Sequence, residues 1–281
     1  MLVVVAALTL VSGALWQQNA LVREAENELA YAQARWLMRG AVDWAGVILR
    51  EDARSTSVDH LGEAWAVPLA DTRLNPEDGR TPAYLAGLIE DEQGKLNLRN
   101  LATPKGISEA DLEALRRLLA TLRIDAGFAD RIAERVAQAV RERGERAAPG
   151  LAFVEDAIAV GMDPRAAERL RPFVTVLPEA TPLNVNTAAP EVLSARIPAL
   201  DLGDARTLVA GRDRVYFRDL GDARQRLSDA GVQTDGAGLA VATRYFRVNG
   251  TVSYGPARLG ARALVKRDAA RLEVLWMKEG A

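Results

Sequence analysis

With 281 residues, the chain has room for two modest domains and an extension. Apolar residues make up 49% and charged residues 26%, which excludes global disorder; a formal net charge of −2 argues against a polyanion held by bulk electrostatics. The absence of Cys removes thiolate metal sites and Cys nucleophiles, and a single histidine, His60, removes any His-pair metal site.

The chain opens without a charged side chain, and the first charge is Arg23. Residues 1–20, with Leu2, Val5, Leu8, Leu10, Leu15 and Trp16 as bulky members, predict a membrane-anchoring segment. Its apolar part is short against the roughly 20 residues that a span needs. The shortness is accounted for if Met1 is an internal methionine of a longer apolar segment. A cleavable secretory signal and a buried core helix are the rivals. A basic n-region is missing, however, and the helical pattern runs on in phase.

That pattern fills 21–54. Leu21, Ala25, Leu29, Trp36, Leu37, Trp44 and Ile48 recur at helical spacing and predict one packing stripe. The whole helix would be roughly 50 residues and about 75 Å long. One small domain cannot cover it, so its first half has to meet lipid or neighbouring subunits, while Trp36 to Ile48 is expected to be core.

Residues 55–102 are breaker-rich as far as Pro82, then predict a hairpin around Gly94 from 83–90 and 95–98. Asp59-His60-Leu61-Gly62-Glu63 places the one histidine between carboxylates. It suits proton transfer, but no nucleophile motif accompanies it, and a structural role is preferred. Glu90-Asp91-Glu92 is an oxygen cluster without calcium-loop spacing and reads as a solvated turn.

Residues 103–239 predict an all-α domain. Ser108 with Asp111 starts a helix carrying Leu112, Leu115, Leu118, Leu119 and Leu122. Further helices are expected over 128–140, 153–160, 164–174 and 217–230. Between them, 184–193 and 203–211 form a helix-hairpin-helix-like unit marked by Asn184, Asn186, Thr187, Leu193 and Gly203. Asn186 or Thr187 is expected to cap its first helix, with Pro190 in the first turn. DNA-binding hairpins offer glycine backbone N–H groups to a phosphate. Here Ala199 and Leu200 stand in those places, and Asp201 and Asp204 bring negative charge. A protein-packing hairpin is preferred, while Arg206, Arg212 and Arg214 keep a membrane-anchored DNA-binding protein as the alternative.

Within 240–281, alternation at 245–253, 257–266 and 271–278 predicts strands. The expected fold is α+β: a long N-terminal helix packed on an antiparallel sheet, with a large all-α domain inserted between its strands. No Walker A loop, dinucleotide fingerprint, G-x-S-x-G or H-E-x-x-H occurs, so no catalytic or cofactor-binding residue is assigned. A hydrolase using His60 is the weakest reading.

Taken in order, the segments 49–54, 59–66, 89–98, 181–188 with 191–193, 244–246 and 274–276 resemble the minor pseudopilin K family (GspK) of type II secretion systems. The resemblance covers essentially the whole chain. It implies a pseudopilin fold with a SAM-like, helix-hairpin-helix-like inserted α-domain, and a non-enzymatic subunit at the tip of a short pseudopilus. The implied partners are minor pseudopilins I and J, together with H and the major pseudopilin, with no nucleic acid and no small-molecule substrate. It also implies processing by a prepilin peptidase and single-pass insertion in the inner membrane, with the globular part in the periplasm. Family K subunits typically lack the Glu that major pseudopilins carry near their mature start, and residues 1–16 contain none. The family's α-domain carries an acidic calcium-binding loop. The corresponding 141–150 has neither a run of aspartates nor a Cys, so no metal and no cofactor is expected.

Overall fold

The computed structural model describes residues 2–74, 81–103, 105–141, 153–268 and 271–280. Helix α1 (Leu2–Ser55) is one continuous helix of 54 residues, about 80 Å long, uninterrupted because no Pro falls within it. Two strands follow, β1 (Leu69–Arg73) and β2 (Ala83–Asp91). The chain then leaves the sheet. The short pieces β3 (Leu96–Asn97), β4 (Ala102–Thr103) and β5 (Gly106–Ile107) lead into α2 (Glu109–Thr121), α3 (Gly127–Arg141), α4 (Val154–Ile158) and α5 (Pro164–Leu170). After β6 (Val174–Thr175) and β7 (Leu183–Asn184) come α6 (Pro190–Arg196), α7 (Leu202–Arg212), α8 (Leu220–Asp229) and β8 (Leu239–Ala240). Three long strands close the chain: β9 (Tyr245–Tyr254), β10 (Ala257–Asp268) and β11 (Arg271–Glu279).

The main sheet runs β1-β2-β9-β10-β11 and is antiparallel throughout. Because β2 and β9 are neighbours, the sheet is interrupted between Asp91 and Tyr245. The insertion therefore spans 92–244, starting earlier and ending later than the 103–239 expected. Two apolar clusters form its core. One gathers α2, α3 and α5 around Leu115, Leu118, Ile132 and Leu170, and the other gathers α6, α7 and α8 around Val192, Leu193 and Phe217. Leu96 and Phe173 pack against both. Ser108 caps α2, its Oγ accepting from the Asp111 N–H.

Helix α1 meets the sheet through Ala30, Ala34, Met38, Val42, Ala45 and Leu49, which pack on Leu85, Val252, Ala261, Phe246, Ala263 and Val265. This differs from the predicted stripe. Leu21, Ala25, Leu29, Trp36 and Trp44 are exposed, the two tryptophans by 70% and 49%, and Leu37 and Ile48 are only half-buried. Both stripes satisfy three- and four-residue steps, so periodicity cannot choose between them. The sheet takes the small-residue face because the helix comes close. A Cβ on Gly250 would lie 3.2 Å from the Met38 sulfur, and one on Gly46 would lie 3.0 Å from Leu272.

Two local expectations are corrected. No hairpin forms around Gly94: Asp91 accepts from the Gln93 N–H and starts a 3-10 turn at Glu92–Gly94, after which β3 pairs in parallel with β6. Residues 184–189 are not helical either. Asn184 accepts from the Asn186 N–H, α6 begins at Pro190, and Ala189 caps it without a side-chain bond, so neither Asn186 nor Thr187 is a helix cap.

Candidate functional site

Most of the segments that carry the family resemblance meet at one place, the neck where the inserted helices join the sheet and the C-terminal end of α1. At its centre is Arg267, the last inward-facing residue of β10. Its guanidinium donates to the Leu49 carbonyl at 3.3 Å, to Asp52 Oδ2 at 2.9 Å, to the Thr243 carbonyl at 3.1 Å and to Asp59 Oδ1. Asp59 in turn accepts from the Thr243 N–H at 2.7 Å, and its own N–H donates to the Val241 carbonyl at 3.0 Å. One arginine thus ties α1, the loop after it, the return from the insertion and β10.

A second knot lies beside it. Asp91, at the end of β2, accepts from Gln93 N–H at 2.7 Å, Asn184 Nδ2 at 2.8 Å and Thr187 Oγ1 at 2.6 Å. Asn184 Nδ2 also donates to the Asp59 carbonyl at 3.0 Å, linking the two knots. Gln93 spans the neck, donating to the Pro182 carbonyl and accepting from the Arg244 N–H. Gly94 is required by close approach, since a Cβ there would lie 2.7 Å from Thr187 Oγ1. Asn186 exchanges two bonds with the Phe217 backbone, fixing the 184–189 loop to the segment before α8.

Burial pushes the Asp91 carboxyl up to about 6, against its hydrogen bonds from Thr187, Thr243 and Asn184. Burial also pushes Asp52 up to about 6, with the charge of Glu63 adding to it. Asp59 is raised by burial against the opposing pull of Arg267. For Glu90 burial raises the carboxyl, but Lys95 and Arg247 hold it below the usual range. The stretch Glu90-Asp91-Glu92 is therefore not a solvated turn. Glu92 is buried with Lys95 Nζ at 2.6 Å, and Thr175 Oγ1 donates to it at 2.5 Å.

Asp52, Asp59 and Glu63 bring carboxylate oxygens within 4.8 Å of one another, the one such cluster among the described residues. Its cation is Arg267. The Glu63 oxygens are also taken, by the His60 N–H, Trp65 Nε1 and Thr56 Oγ1. His60 stacks on Tyr216 at 3.9 Å between ring centroids, and its Nδ1 accepts from the Gly62 N–H. The ring is a packing element, as the structural reading of the sequence expects.

The helix-hairpin-helix-like unit packs inward. Leu193 is in the core of the second cluster, while Gly203 sits in the first turn of α7, capped by Asp201. Arg212 is buried and donates to the Val185 and Ala188 carbonyls at 2.8 and 2.6 Å, and Arg206 faces Glu191 at 4.0 Å. Burial lowers Arg212, and two of the cations that kept the DNA reading open are thus engaged within the protein.

Models of the family described as type II secretion system protein K match residues 94–179 and 183–242. Type II secretion system protein K of Pseudomonas aeruginosa is 34% identical over 92% of this chain and 84% of its own length. The chain belongs to this family. Proteins K are structural, minor-pseudopilin components of an envelope secretion machine, and the DNA-binding alternative is not supported. The fold agrees: a structure of a GspK-GspI-GspJ complex from enterotoxigenic Escherichia coli matches with a TM-score of 0.73 at 22% identity, over 92% of this chain and 99% of that one.

Sequence reasoning named Asn184, Asn186 and Thr187 but gave them helix positions, took Arg212 as a cation open to DNA, and missed Arg267, Gln93 and Thr243. For Arg267 a signal existed. Ala257, Leu259, Ala261, Ala263 and Val265 mark the inward face of β10 by alternation, and Arg267 continues that series. A charge on a buried face needs a buried partner.

Among the described residues no helix is long and apolar enough to cross a membrane. The side chains of Leu2, Val5, Leu8 and Leu10 lie outside those described, and Leu15 and Trp16 are exposed. Residues 142–150, most of the stretch that corresponds to the family's calcium loop, also lie outside them.

Proposed function

We propose that this chain is the K subunit at the tip of a type II secretion pseudopilus, held in the inner membrane by the start of α1 with its globular part in the periplasm. Its partners are minor pseudopilins I and J, then H and the major pseudopilin, and it works by assembly, without catalysis or a bound metal. The carrying observation is the bulky face of α1. Leu21, Leu29, Trp36, Trp44 and Val47 are exposed while the small-residue face of the same helix is packed. Exposed apolar surface running along a helix this long marks an interaction site. The neck supports the tip position, because Leu49 and Asp52 belong to the far end of α1 and the insertion of 92–244 is attached there. A body of that size beyond the helix end obstructs addition of a further subunit above it. The partners named for the Escherichia coli complex support the choice of I and J.

The test is co-purification of the full chain with I and J from detergent-solubilised membranes. A stable three-part complex is expected. Recovery of the chain alone, with I and J pairing without it, would remove the tip reading.

A further inference from the structure

The face of the sheet turned away from α1 carries a groove lined by more cations than carboxylates. Strand register places Arg262 on β10 directly opposite Lys278 on the edge strand β11, and Arg247 opposite Leu264, the next residue on that face of β10. Side chains directly opposite in an antiparallel pair have Cβ atoms about 5 Å apart, and like charges there repel. Arg171, from the turn after α5, lines the same groove. The carboxylates present are already used: Glu90 holds Arg247 at 2.7 Å, Glu92 holds Lys95 and approaches Arg247 at 3.4 Å, and Glu155 holds Arg171 at 3.3 Å. Neither Arg262 nor Lys278 has an ion-pair partner among the described residues.

Beside the cations stands an aromatic wall. Phe153 meets Trp276 edge to face at 5.1 Å, and Lys278 Nζ lies 4.8 Å from the Phe153 ring. We infer that this groove, formed by α4, the turn after α5 and the β10–β11 edge, docks an acidic peptide segment of a protein partner. Spaced carboxylates satisfy Arg262 and Lys278, and an apolar side chain between them fits the wall. The charge pattern chooses a peptide over nucleic acid. Glu92 and Glu155 line the groove as well, and the chain as a whole carries −2, so a dense polyanion is repelled where isolated carboxylates are accepted. The inference stands apart from the tip reading, since it concerns a different face of the sheet from the one that α1 covers.

Fluorescence anisotropy of the full chain in mild non-ionic detergent tests this, with a fluorescein-labelled peptide of Glu and Asp around a central Phe. Binding at low salt that weakens as salt rises is expected, with none for the Gln/Asn analogue. The double variant Arg262→Ala, Lys278→Ala should bind about tenfold more weakly, and Arg39→Ala, on α1, should bind as wild type. The double variant should melt at the same temperature or higher, because a repulsion has been removed; a clear drop would show the pair to be balanced inside the protein and overturn the inference. No wild-type binding, or unchanged binding by the double variant, would equally sink it. So would displacement of the peptide by an equal charge of inorganic phosphate, or tighter binding of a single-stranded oligonucleotide.

Discussion

Along α1 the molecule is closed mainly by apolar side chains, Ala30, Ala34, Ala45 and Leu49 against Ala261, Ala263 and Val265, with the Arg35–Glu279 ion pair at 3.1 Å on the exposed edge. At the neck it is closed by Arg267, Asp59, Asp91, Asn184 and Gln93, each buried or nearly so and each bonded to a different segment. An apolar seam gains free energy from area and is forgiving of small slides. A buried polar network is indifferent in net energy but strongly favours the one geometry in which every group is paired. The contrast leaves the packing of α1 tolerant of small slides while the bulky insertion keeps a fixed orientation on the body.

Breaking the neck at its cation should produce the largest effect. Arg267→Ala leaves Asp52 and Asp59 facing each other without a counter-charge, and removing one partner of a buried ion pair costs roughly 3–5 kcal/mol. Denaturant unfolding should show that loss, and a change below about 1 kcal/mol would mean that the neck is not a locking element. Asn184→Leu is milder. It keeps the volume but leaves Asp91 and the Asp59 carbonyl each one donor short, which should cost roughly 2 kcal/mol by the same measurement. Equal stability of this variant would reduce the second knot to packing.

Acid sharpens the comparison, with a sign opposite to ordinary carboxylates. Asp52 and Asp91 are pushed up to about 6, so the folded protein binds a proton that the unfolded chain releases near 4. The associated stability is fully present below the unfolded value and is lost as pH rises through about 6. Between pH 7 and pH 5 the protein should therefore gain about 1 kcal/mol per such carboxylate, read as a rising melting temperature. Below that window the paired Glu90, held low, works the other way. A neck whose carboxylates were not desolvated would show no gain between pH 7 and pH 5.

How much of this was legible depends on the interaction. The long helix, the insertion between strands and the closing β9–β11 meander follow from periodicity and breakers, which are local. The packed face of α1 did not, because Trp36, Trp44 and Leu29 match helical spacing as well as Ala34, Met38 and Ala45 do. The choice between them is made by the closeness of Gly250 and Leu272, more than 200 residues away. The neck was half visible. Asn184, Asn186 and Thr187 stood out as a phrase, but Asn favours caps and loop locks equally, and only the distant Asp59 and Asp91 decide between them.

The smallest effect on stability should come from the other side of the rod, and it separates the two seams most cleanly. Trp36 and Trp44 carry a large apolar area that the folded chain leaves in water, and Arg39 lies over the Trp36 ring at 5.3 Å. Replacing both by Ser removes little that the isolated fold uses, so its unfolding free energy should stay within about 0.5 kcal/mol. If that face is where I and J pack, the same pair of changes should sharply weaken recovery of the three-part complex, since buried aromatic anchors dominate interface energy. Loss of stability without loss of assembly would reverse the assignment: the tryptophans would belong to the body, and the surface that meets the neighbours would lie elsewhere on the rod.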